Sequence, residues 1–141
     1  RSTLFPYTTL FRSALALRNL TAAILDEEVK LGKRDEGLSD EEIEKVVARE
    51  VKKRNESAKI YRDNNRPDLA EPEEREIEIL QAYLPKQLDE TELVAIIEVK
   101  IAELGVTGPQ AMGQVIGAVK KQVGNAADGA AIARIVKQKL N

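Results

Sequence analysis

From residue 14 onward, apolar residues recur at intervals of three and four, and each such stretch is bracketed by helix start and stop signals. No segment alternates apolar and polar residues at period two over a useful length, so the pattern specifies an all-α protein. The first helix is expected over 14–31, with Leu17, Leu20, Ile24, Leu25 and Val29 on its apolar face and Gly32 just past its end. Ser39 and Glu42 have the spacing of a capping box, which opens a second helix. Its buried face is Ile43, Val46, Val47, Val51, Ala58 and Tyr61, and it ends near Asn64–Asn65, ahead of Pro67. A third helix carries Pro72 near its start, buries Ile77, Leu80 and Leu84, and stops at Pro85, with Pro67 to Ala70 as a separate short turn.

Lys86 to Leu88 reads as a hinge. Asp89 and Glu92 repeat the capping-box spacing and open a fourth helix, with Leu93, Ile96, Ile97, Ile101 and Leu104 inward and Gly105 as terminator. Thr107, Pro109 and Gln110 start the fifth, whose stripe is Met112, Val115, Ile116, Val119 and Val123. Asp128 caps the last, which buries Ile132, Ile135, Val136 and Leu140. Residues 14–85 are therefore expected to form a helical, hairpin-like N-terminal subdomain. Residues 89–141 form a compact three-helix bundle, near the lower size limit for independent folding. Residues 1–13 (RSTLFPYTTLFRS) show no helical period and contain no acid. They resemble the translation of a sequencing-adapter read, the alternative being a short disordered or docking arm.

The composition removes most catalytic chemistry. The 141 residues include no Cys and no His, which excludes disulfides, thiol nucleophiles, Ser-His-Asp triads and the usual zinc sites. A carboxylate-only Mg²⁺ or Ca²⁺ site stays open, but no cofactor is implied. The absence of Cys fits a cytoplasmic location, and no apolar run is long enough to span a bilayer, so no membrane partner is expected. The acids Glu71, Glu73, Glu74, Glu76 and Glu78 are read as compensation of a helix dipole. Glu74 and Glu78, four apart, have the spacing to share a cation.

The net charge of −2 hides an asymmetry. Residues 1–104 hold 17 basic and 23 acidic side chains, a net of −6. Residues 105–141 hold Lys120, Lys121, Arg134, Lys137 and Lys139 against Asp128 alone, a net of +4. Lysines in the last turn of a helix also oppose its dipole, so a solvated surface is the plain reading of the same residues. The sharper reading is a polyanion-binding face. No aromatic follows residue 84, so RNA contacts there would be to backbone and shape rather than to stacked bases.

Three segments bring a family into view: Glu76-Ile-Glu-Ile-Leu-Gln-Ala-Tyr-Leu-Pro-Lys-Gln-Leu88, Met112-Gly-Gln-Val-Ile-Gly117, and Ala127-Asp128-Gly129 ahead of a final amphipathic helix. In this order and spacing the chain resembles the GatB/YqeY domain family, and more closely the stand-alone YqeY-like proteins, over about residues 16–141. Family members begin with a longer first helix than the one read here from residue 14. The resemblance implies an all-α fold whose C-terminal part is similar to the tail of the aminoacyl-tRNA amidotransferase B subunit. That enzyme amidates Glu-tRNA(Gln) or Asp-tRNA(Asn) with glutamine as nitrogen donor, and its tail grips tRNA. The label implied is carbon–nitrogen ligase with glutamine as amido-N-donor.

The residues give that label no catalytic group. Of the four serines, Ser2 and Ser13 lie in the adapter-like start, Ser39 is a helix cap, and Ser57 stands alone in a charged helix. The expected function is a non-catalytic tRNA-associated module. Its phosphate contacts would be Lys120, Lys121, Arg134, Lys137 and Lys139, and Gly113, Asp128 and Gly129 would shape the helix approach and turn. Its partners would be tRNA and amidotransferase or synthetase proteins. The alternative is a helical protein–protein adaptor with no nucleic-acid role, using exposed apolar residues such as Val94 and Val99.

Overall fold

The computed structural model describes residues 4–141, with side chains from residue 14. The described residues are all-α. α1 spans Leu4–Leu31, α2 Asp40–Asp63, α3 Pro67–Gln81, α4 Glu90–Leu104, α5 Met112–Val123 and α6 Gly129–Leu140, with short 3-10 turns at Pro109–Ala111 and Gly124–Ala126. The chain divides after Leu84 into two compact units.

In the N-terminal unit, local chemistry sets the ends of α2. Glu42 N donates to Ser39 Oγ at 3.2 Å and Ser39 N donates to Glu42 Oε2 at 2.8 Å, which completes the capping box. Lys33 Nζ donates to Glu42 Oε1 at 2.6 Å. That bond, then the Ser39 amide, hold the Glu42 carboxyl below its ordinary value, and the same bond to Glu42 raises the Lys33 ammonium above its own. Leu20, Val46, Val47, Val51, Ile77 and Leu80 form the core, with Ala23, Ile24, Leu38, Ile43 and Leu84 packed around it. α2 and α3 are joined at their polar edge by Arg54, whose Nε donates to Glu76 Oε2 at 2.7 Å while its Nη1 donates to the Glu50 carbonyl at 3.0 Å.

Three expectations for this unit are corrected in whole or in part. α1 runs back to Leu4 rather than starting at residue 14; the adapter-like reading of 1–13 otherwise falls outside the residues whose side chains are described. Its buried line is Ala16 and Leu20, backed by Ala23 and Ile24, whereas Leu17, Leu25 and Val29 are exposed. Leu20 and Ile24 face the core as the spacing predicts, but Leu17, Leu25 and Val29 do not, because α1 carries apolar residues on two opposite sides. Pro67 to Ala70 is not a separate turn: Pro67 is the first residue of α3, and Pro72 lies inside the helix. Pro67 loses nothing there, whereas Pro72 removes the bond that an N–H would have made to the Asp68 carbonyl.

In the C-terminal unit, Asp89 and Glu92 close a second capping box: Glu92 N donates to Asp89 Oδ1 at 2.8 Å and Asp89 N to Glu92 Oε2 at 3.1 Å. Gly105 ends α4 at φ +62°, a conformation open to glycine at little cost. Leu93 and Ile97 of α4 meet Val115 and Val119 of α5 and Ile132, Ile135, Val136 and Leu140 of α6 in one aliphatic core. Each such side chain contributes about 1.5–3 kcal/mol when fully buried. One local reading changes. Thr107 caps nothing; Gly108, at φ +85°, precedes the 3-10 turn, and α5 starts only at Met112. The Lys86–Leu88 segment is tied into the second unit: Leu88 N donates to the Ala126 carbonyl at 2.9 Å and Gln87 Nε2 to the Asn125 carbonyl at 3.0 Å.

Candidate nucleic-acid interface

The five cations singled out by charge lie on α5 and α6, all exposed. Apolar residues facing the core at Val115, Val119, Ile132, Ile135 and Val136 force the polar residues between them outward. Lys120 and Lys121 occupy the last turn of α5, and Lys137 and Lys139 the last turn of α6.

α6 begins beside the end of α5. A methyl added at Gly129 would stand 3.3 Å from Lys120 Cε and 3.4 Å from Nζ, so the Lys120 ammonium lies over the first residue of α6. Asp128 caps that helix by accepting from Ala130 N at 3.3 Å. Lys137 lies eight residues further on, about 12 Å along the α6 axis. The lysines therefore flank both ends of α6 rather than forming one tight cluster.

Two of the five are held by acids of α4. Arg134 Nη2 sits 3.0 Å from Glu90 Oε1, and Lys139 Nζ 2.7 Å from Glu98 Oε1. Sequence reasoning missed these carboxylates because it counted charge from residue 105. The compact unit starts at Pro85 and includes α4, which brings the unit to seven cations against six acids, a net of +1. Glu90 and Glu98, eight residues apart on α4, meet Arg134 and Lys139 only through the packing of α4 on α6, so no sequence signal pointed to the pairing. Among the described residues, Lys120, Lys121 and Lys137 have no recorded carboxylate partner.

Asp128 and Gly129 stand at the entry to α6, where the sequence puts them. Gly113 does not shape a turn or a close approach. It is the second residue of α5, exposed, with nothing within 4 Å of a Cβ built there, and Gly117 is equally open. Exposed glycines in a helix cost about 0.5–1 kcal/mol relative to alanine, and no internal contact accounts for them.

The acid row of α3 holds arginines. Glu74 receives a two-bond fork from Arg62, with both distances 2.9 Å; Glu76 binds Arg54; and Glu71 lies 3.2 Å from Arg75. The fork, before any other influence, lowers the Glu74 carboxyl below its usual range. Glu74 is thus engaged by Arg62 rather than presented with Glu78 to a cation. Val94 packs against the C-terminal core, and Val99 is exposed alone. Among the described residues, no helix is long and apolar enough to cross a membrane.

A search of curated proteins returns no match. A comparison with protein families matches residues 11–140 to the family described as Yqey-like protein. That match takes in both compact units, with their capping boxes and the α5–α6 pair, and the chain belongs to the YqeY-like protein family.

Proposed function

We propose that this protein is a non-catalytic, tRNA-associated module that meets the RNA backbone through the outer surface of α5 and α6. One observation carries the reading. The only acid between residues 105 and 141, Asp128, caps α6, while Lys120, Lys121 and Lys137 stand exposed with no carboxylate partner among the described residues. A surface of lysines and amides without a free acid attracts a polyanion and releases its counterions. The link to glutamine-dependent aminoacyl-tRNA amidation rests on the resemblance of the C-terminal unit to the amidotransferase tail. The catalytic part of that label finds no support in side chains: there is no His or Cys, and Ser39 is bound into a helix cap.

The test is filter binding of tRNA to wild type and to the double variant Lys120→Glu/Lys121→Glu at low salt. Loss of at least about tenfold in affinity is expected from reversing two phosphate contacts. Equal binding by the two proteins refutes the proposal. Release of ammonia from glutamine by the purified protein would refute the non-catalytic assignment.

A further inference from the structure

We propose that the outer face of α1 is a self-association surface, on which two copies of this chain pair through antiparallel α1 helices that cross at Ala22. Exposed apolar side chains scattered singly need no explanation, but here they are concentrated. Among the described residues, five of the nine large apolar side chains left exposed belong to α1. Leu15, Leu25 and Val29 are 39%, 41% and 62% exposed. With Arg18 and Ala22 they follow one another at intervals of three, four, three and four, the seam of a two-stranded coiled coil. At about 100° per residue these five fall within roughly 80° of arc, opposite the line of Ala16, Leu20 and Ala23 that faces the unit's own core.

Charge selects the partner and its direction. Among the described residues, neither Arg18 nor Asp26 has a recorded partner within its own chain. An antiparallel pair crossing at Ala22 sets Leu15 level with Val29 of the second copy. It also sets Arg18 level with Asp26 of that copy, twice by symmetry. A parallel pair would set Arg18 against Arg18 in the seam, like charges side by side, with no acid level with either. Alanine at the crossing point lets the two backbones approach. The seam from Leu15 to Val29 is about 21 Å long, so the interface is at the small end of the range, below ~1,200 Å², where association is weak.

The test is sedimentation equilibrium of the full chain from about 5 to about 500 μM, the range a small interface requires. A reversible dimer is expected. Leu25→Glu/Val29→Glu, both at exposed positions, should remain monomeric with unchanged helicity. Arg18→Asp should weaken the dimer about tenfold, and Arg18→Asp/Asp26→Arg should restore it. The chain has no cysteine, so Ala22→Cys treated with diamide should give a disulfide-linked dimer well ahead of Ile60→Cys, an exposed control on α2. A monomer at every concentration overturns the proposal, as does a dimer indifferent to Leu25→Glu/Val29→Glu. Failure of the charge swap to restore binding, or equal cross-linking of the two cysteine variants, overturns the antiparallel register.

Discussion

Replacing Glu90 and Glu98 by Gln should make tRNA binding more dependent on salt, by an amount the ion pairs set in advance. In the native protein Arg134 and Lys139 are engaged by these acids at 3.0 and 2.7 Å, which leaves three cations of the five to meet phosphates. Each neutralised phosphate contributes about 0.7–0.9 to the slope of log affinity against log salt. Three contacts give a slope of roughly −2 to −3, and an affinity loss of roughly 20- to 40-fold between 50 and 200 mM salt. Freeing two more cations moves the slope to roughly −3.5 to −4.5 and the loss to roughly 130- to 500-fold. Filter binding at four or five salt concentrations reads the slope directly. Thermal unfolding by far-UV circular dichroism checks that the substitution at two exposed pairs leaves the bundle intact, as the small value of such pairs implies. A slope unchanged by Glu90→Gln/Glu98→Gln refutes the idea that these acids compete with RNA. A slope near zero in the native protein refutes the interface.

Gly117→Ala should raise stability by about 0.5–1 kcal/mol, since the helix is regular there and the space is open; a fall in the thermal midpoint would contradict that geometry. Glu42 has a folded-state pKa below its ordinary 4.5, so its contribution is present above that pH and is lost as pH falls through the lowered value. Urea midpoints at pH 7 and pH 3 should therefore differ less in Glu42→Gln than in wild type. Lys33 shows the opposite sign: its contribution is full below its ordinary 10.5 and disappears as pH rises through the raised folded value. A double-mutant cycle on Arg54→Ala and Glu76→Ala should return a coupling of about 1–2 kcal/mol, because both side chains are largely covered at the α2–α3 edge; a coupling near zero would place that pair among ordinary surface pairs.

The parts of the fold legible in the sequence are those decided by near neighbours. Ser39 with Glu42 and Asp89 with Glu92 act over three residues, and Ile132, Ile135, Val136 and Leu140 sit on a helix with one apolar side; all of these lie where the spacing puts them. Thr107 and Gln110 have the same spacing as the two working boxes, but Gly108 and Pro109 between them impose a tighter turn. On α1 periodicity places Leu20 and Ile24 but not Leu17, Leu25 and Val29, because it cannot choose between two apolar sides of one helix. The candidate interface was legible only as a list of cations. Which of them an acid from another helix would occupy depends on how α4 lies against α6, and no spacing along the chain encodes that.

The separation of the chain into two units with independent cores has an optical corollary. Tyr7, Tyr61 and Tyr83, with Phe5 and Phe11, all precede residue 85, and nothing after that residue absorbs as a phenol, a phenyl ring or an indole. Tyrosine emission and near-ultraviolet dichroism therefore report on the first unit alone, whereas the amide band at 222 nm sums over both. Any gap between the two melting traces is, without a label or a cut, the difference in durability between the halves.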